Sequence, residues 1–209
     1  MVNYYAPCDV AIKNLNREIV EEFGRLKMAK WDEVNIIRSV ATVYRQSAMK
    51  ARKRYYEVAA EAYILAMIMI GEDTRKAHAM ADKKITQKWV DEILDRTDTV
   101  TLYRFNTEAE RKAYRLAEQL EVGADRNRLI DRAMKEWSRQ VGQFAITFTD
   151  EAVIQAFMDA GVEFVEWVSE HDQRTCGYCK ERDGLQYPID EIPTKPHYGC
   201  RCRIRPVEE

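Results

Sequence analysis

The chain has 209 residues, a formal net charge of −2, 46% hydrophobic and 33% charged residues, and only 8 Gly and 5 Pro. Such a length buries a core and carries one large domain plus a small appendage, while the near-neutral balance gives no global electrostatic case for nucleic-acid binding. The longest apolar stretch, residues 62–70 (AYILAMIMI), falls far short of the roughly 20 residues a membrane span requires.

A first helix is expected over 10–28. From Val34 onward Ile37, Ala41, Tyr44, Ala48, Ala51, Tyr55, Val58, Ala62, Leu65 and Met69 recur in alternating steps of three and four, which is a heptad seam. The spacing predicts a helix over 32–70, stopped by Gly71 and roughly 55 to 60 Å long. The seam alanines let partner helices approach closely, and Tyr44 and Tyr55 fill wider gaps. Arg38, Arg45 and Arg52 recur every seven residues beside the seam, near Lys50, Lys53 and Arg54. That stripe reads either as a solvated face balanced by Glu57 and Glu61 or as a contact for phosphates or an acidic partner.

The next helix is expected from Asp73 or Thr74, with Ala77, Ala81, Ile85, Trp89 and Ile93 on one face. Another begins near Asn106, where Thr107 and Glu110 have capping-box spacing, and ends by Gly123. A longer helix over 125–148 presents Leu129, Ala133, Trp137, Val141, Ala145 and Phe148, and a short one runs from Thr149 or Asp150 to Gly161. Trp31, Trp89, Trp137 and Trp167 read as core residues, Met67, Met69 and Met80 as gap-fillers, and Cys8 as a small residue near a helix start. With no internal repeat and no low-complexity linker, residues 1–161 read as a single, elongated helical bundle.

At Val162 the period changes. Residues 162–169 (VEFVEWVS) are rich in β-branched and aromatic side chains and predict a strand. Asp183-Gly184 signals a turn, 185–187 a short strand, and 201–205 a last strand that alternates with cysteines. That alternation puts Arg201, Arg203 and Arg205 on one face, as a phosphate contact or a solvated strand edge. The segment 162–209 holds too little apolar material to pack a core of its own.

What it holds instead is four of the five cysteines, in Cys176-x2-Cys179 and His197-x2-Cys200-x-Cys202. A C-x2-C turn presents two thiolates from one loop, and the second cluster closes a tetrahedron around a d10 ion. Zinc is the expected cofactor, in a structural role, and ligation contributes on the order of 10 kcal/mol to a small module. Five donors compete for four positions. The economical set is Cys176, Cys179, His197 and Cys200; an all-thiolate set uses Cys202 and releases His197.

Disulfides would suit a secreted protein, but the polar, tyrosine-rich start shows no leader pattern, so an intracellular, soluble chain is expected. A redox dithiol would want C-x2-C opening a helix, whereas Gly177, Gly184 and Pro188 crowd this loop. A catalytic zinc would need a base; ordinary turn chemistry already accounts for Asp172 and Asp183. His171 beside Asp172 reads as a surface pair and His78 as unassigned.

The order Trp167, Asp172-x-Arg174-Thr175-Cys176-x2-Cys179, Asp183-Gly184, His197-x2-Cys200-Arg201-Cys202 resembles the phage minor head proteins, also called Mu F-like or head-morphogenesis proteins. The likeness is specific in this C-terminal segment and only architectural upstream; Tyr198 stands where the family usually has Pro. The resemblance implies a non-enzymatic component of the virion head. It would associate with the portal protein and other capsid proteins during head assembly in the host cytoplasm, with packaged DNA as a further contact.

The expected fold is therefore mainly α, an elongated helical bundle (1–161) followed by a zinc-stabilised α+β minidomain of treble-clef or ribbon type (162–209). Two rival functions are a zinc-stabilised DNA-binding protein and a nuclease of the HNH type. The nuclease needs a general-base histidine, and with His197 as a ligand only His171 remains nearby.

Overall fold

The computed structural model describes residues 3–29, 33–96, 104–121, 125–197 and 199–207. Among these, seven helices precede, interrupt and support a small three-stranded sheet near the C-terminus. Trp31, Asp32, Gly123 and Tyr198 lie outside the described residues.

Helix α1, Ala6–Met28, starts earlier than the apolar period suggested, because Pro7 fits a first turn where its missing N–H costs nothing. Cys8, Ala11, Leu15, Ile19, Phe23 and Leu26 form its buried stripe. Helix α2, Glu33–Met69, spans about 55 Å at 1.5 Å per residue. Gly71, at φ +89°, stops it: the Gly71 and Glu72 amides donate to Ile68 and Met67 carbonyls, a turn that favours glycine's left-handed freedom.

Helix α2 is central, and that changes its buried face. The seam residues Tyr44, Ala48, Ala51, Tyr55, Val58 and Ala62 are buried as expected. Ile37 is 51% exposed, however, and Ile36, Val40 and Val43 are buried instead. A single heptad stripe describes a helix with one neighbour; α2 packs against α1 on one side and later helices on others, so its apolar surface widens.

The helix expected from Asp73 is two. Asp73 caps α3, Thr74–Lys84, by accepting from the Arg75 and Lys76 amides. Thr86 then caps α4, Gln87–Leu94, by accepting from Trp89 N–H at 3.2 Å. Helix α5, Phe105–Glu121, begins on the buried Phe105, so Thr107 lies inside its first turn instead of acting as the cap of a capping box. Helix α6, Arg126–Asp159, is continuous where two helices were expected. Asp125 caps its start, and Gly161, at φ +78°, follows its end.

The core lies where α1, α2, α5 and α6 meet. The Trp137 indole N–H donates to Ser47 Oγ at 2.8 Å, and the Tyr55 hydroxyl donates to the Val141 carbonyl at 2.9 Å. Tyr55 stacks on Phe148 at 4.8 Å and meets Phe105 edge-on at 5.6 Å, so Trp137 and Tyr55 are both buried with their polar tips satisfied. No helix among the described residues is long and apolar enough to cross a membrane.

The C-terminal part contains β1 (Phe164–Val168), α7 (Gly177–Arg182), β2 (Gln186–Pro188) and β3 (Arg203–Pro206). Both outer strands pair antiparallel to β1, in the order β2-β1-β3. The alternating apolar residues of β1 divide their duties. Val165 joins the helical core together with Ile192 and Ile204, while Trp167 packs over Cys179, Cys200 and Cys202. Val165 and Trp167, two residues apart, lie on the same face of β1, so the minidomain shares the bundle's core at one end of that buried face and has a small sulfur-centred cluster of its own at the other.

Candidate metal centre

Cys176 is the N-cap residue of α7, and Cys179 lies in the first turn, so the C-x2-C pair does open a short helix. The glycines expected to prevent this do not, because Gly177 occupies the first helical position and Gly184, at φ +77°, falls after the helix. Asp172 supports the approach to Cys176: its carboxylate accepts from the Arg174 N–H at 2.9 Å and its carbonyl from the Thr175 N–H at 3.1 Å. Asp183 accepts from the Ser169 N–H at 2.8 Å. Both carboxylates serve turns, as the sequence indicated.

The second half of the centre follows a looser segment. Gly199, at φ +73°, turns the chain between His197 and Cys200, and β3 begins just after Cys202. The sulfurs of Cys179, Cys200 and Cys202 all lie within 4.8 Å of one another, and those of Cys179 and Cys200 are 3.6 Å apart. A tetrahedral ion with metal–sulfur bonds of about 2.3 Å separates its sulfurs by about 3.8 Å. Cys176 has Cys179 and His197 as hydrogen-bonding neighbours. Cys202, the reserve ligand on spacing grounds, thus stands in the compact group, and His197 stands against Cys176.

These thiols are 1%, 3% and 4% exposed at Cys179, Cys200 and Cys202. A hydrogen bond from Cys200 lowers Cys202 to about 6, while donating that bond, and then burial, raises Cys200. Burial, then the Cys202 and Cys176 side chains, raise Cys179 to about 12. At Cys176 burial works upward, but bonds from the Cys179 backbone and side chain and from His197 bring it below the usual thiol range. The cluster shares protons because several thiolates in contact, out of water, cannot all carry charge without a cation. The donor set fits a soft, four-coordinate metal ion held by three to four cysteines. Lys195 adds positive charge beside Cys200 and Cys202.

The basic residues singled out in the sequence are largely engaged within the chain. Arg201 pairs with Asp9 at 2.6 Å, Arg203 with Glu170 at 3.4 Å, and Arg205 with both Glu166 oxygens at 2.8 and 2.9 Å. Only Arg203 and Arg205 lie in β3, so the three do not form one strand face. On α2, Arg38 and Arg45 are exposed, while Arg52 pairs with Asp91 and Lys50 with Glu22. His171 is 68% exposed, at φ +54°, with Nε2 3.4 Å from Asp183 and not paired with Asp172.

Five residues around the centre were not assigned to it by the sequence: Tyr4, Tyr5, Gln143, Asp150 and Lys195. The Tyr4 hydroxyl donates to the Ile204 carbonyl at 3.0 Å and accepts from its N–H at 2.8 Å. Lys195 donates to Asp150 at 2.9 Å and to the Tyr5 hydroxyl, which itself donates to Asp150. Burial pushes the Asp150 carboxyl up, against the pull of Lys195. The Gly199 N–H donates to Gln143 Oε1 at 2.8 Å. The Tyr-Tyr pair before Pro7 was the one visible hint, since two aromatic rings at a helix start need somewhere to be buried.

No family model, curated protein or solved structure matches this chain.

Proposed function

We propose that this protein is a zinc-stapled, non-catalytic assembly component of a tailed-phage head, of the minor head type, docking at the portal vertex. One observation carries the metal half of this reading: buried sulfurs of Cys179, Cys200 and Cys202 lie within 4.8 Å of one another with Cys176 alongside. In this reading zinc is held by Cys176, Cys179, Cys200 and Cys202, and His197 hydrogen-bonds the Cys176 sulfur from outside the tetrahedron. Such a set is closed, leaving no position for a reacting water, which is the arrangement of structural zinc. The assembly half is supported by the resemblance of the segment from Trp167 to Cys202 and by a helical rod of about 55 Å in the same chain as the compact cysteine centre.

Elemental analysis of purified protein should find about one zinc per chain. Cys179→Ser and Cys202→Ser should lose it, and His197→Ala should keep it. Full retention in both cysteine variants refutes the site, while loss in His197→Ala with retention in Cys202→Ser transfers the fourth position to His197. For assembly, the protein should be recovered from assembling heads when portal protein is present and be absent from them when it is deleted; equal recovery in both refutes portal docking.

A further inference from the structure

Residues 195–204 alternate between two duties. Cys200 and Cys202 supply sulfurs, and His197 lies against Cys176. Between and around them Lys195, Gly199, Arg201 and Ile204 are each tied to the helical part: Lys195 to Asp150 and Tyr5, Gly199 to Gln143, Arg201 to Asp9, and Ile204 to Tyr4. Every donor in this segment thus has a neighbour in sequence anchored to α1, α6 or the turn just before α1. The C-x2-C half needs no such help, since α7 and its own turn hold Cys176 and Cys179.

We infer that the helical part completes the metal centre: Gln143 and Tyr4 are positioning residues that hold the second ligand segment in its binding geometry. The physical reason is the shortage of local structure there. Among the described residues from 189 to 202 there is no helix or strand, and Gly199 has a positive φ. A free segment of that kind samples many conformations, each of which must be given up on ligation. Gln143 is 5% exposed in the middle of α6, and its amide oxygen takes up the N–H immediately before Cys200. Tyr4, 2% exposed, takes both backbone groups of Ile204 through one hydroxyl. These contacts fix the backbone on either side of Cys200 and Cys202 before the ion arrives. Outer residues that orient ligands in this way change metal affinity without touching the ion. By reciprocity the ion tightens the hold of the bundle on the minidomain.

This inference rests on the zinc reading above, and one experiment separates the two. The zinc affinity of the full chain is measured by competition with a chromophoric chelator for wild type, Gln143→Met, Gln143→Glu and Tyr4→Phe, with amide exchange followed with and without zinc. Gln143→Met and Tyr4→Phe should each weaken zinc binding by roughly tenfold, and Gln143→Glu, which keeps an acceptor oxygen, should restore most of it. Zinc should also slow amide exchange in α1 and mid-α6, not only in the minidomain. A role in stability alone would lower the melting temperature of metal-free and zinc-loaded protein equally and leave affinity within about twofold of wild type, which overturns the inference. A wild-type chain that binds no zinc overturns the zinc reading itself, and is a distinct result.

Discussion

Replacing Tyr4 with Phe deletes one oxygen and leaves the ring in place, so it isolates the hydroxyl that joins the bundle to the sheet. That oxygen serves two backbone groups of Ile204, as donor at 3.0 Å and acceptor at 2.8 Å. β3 is an outer strand of the sheet, and Ile204 pairs with Trp167 of β1 on its inner side. With the hydroxyl gone, an N–H and a carbonyl on its outer side lose their partner beside an apolar ring. Leaving a buried polar group unpaired costs about 1–3 kcal/mol, and because Ile204 is only half-buried, the lower part of that range applies to each group. The expected destabilisation is about 2–3 kcal/mol in total. For a chain of this size each kcal/mol moves the midpoint by about 2–4 °C, so a thermal melt of zinc-loaded protein should fall by about 5–10 °C. Amide exchange at Ile204 should accelerate in parallel. A midpoint within about 1 °C of wild type, with the Ile204 amide still protected, refutes the clamp.

Other perturbations have equally defined outcomes. Tyr55→Phe should cost only about 0.5–1.5 kcal/mol in denaturant unfolding, because the Val141 carbonyl it serves sits within α6 and keeps a helical partner. Gly71→Ala meets no atom within 4 Å of its new Cβ yet sits at φ +89°, so conformational strain alone should destabilise by about 1 kcal/mol, read from the same unfolding curves. Chelation of the proposed zinc should raise amide exchange and protease cleavage in the minidomain while circular dichroism retains most of the helical signal, since the aromatic core of α2, α5 and α6 contains none of the donors. Simultaneous loss of helix and minidomain on chelation would show that the bundle depends on the metal for its own fold.

Helix content, the long α2, its stop at Gly71 and the cysteine clusters were legible because each depends on local rules: period, left-handed glycine and ligand spacing. Where local rules failed, the side chain was engaged by some other group. Thr149 and Asp150 carry cap-forming side chains, and a new helix start there was the natural reading. In the fold the Thr149 hydroxyl donates back to the Ala145 carbonyl at 2.9 Å, and Asp150 is occupied by Tyr5 and Lys195. With both side chains engaged, α6 runs through. Thr86, which has no such partner, caps α4 and does break the chain. Ile37 carries the right period but the wrong azimuth, because a helix with several neighbours buries more than one stripe.

The amino-acid sequence alone determined that this is a helical chain with a sulfur-rich C-terminal module, since propensity, periodicity and donor spacing act between residues a few positions apart. Only the tertiary structure decided which sulfurs meet and what holds them. Cys202 joins Cys179 and Cys200, and Tyr4 reaches a strand 200 residues away. Contacts of that range depend on how helices converge, a geometry set by the packing of the whole core and encoded in no local spacing.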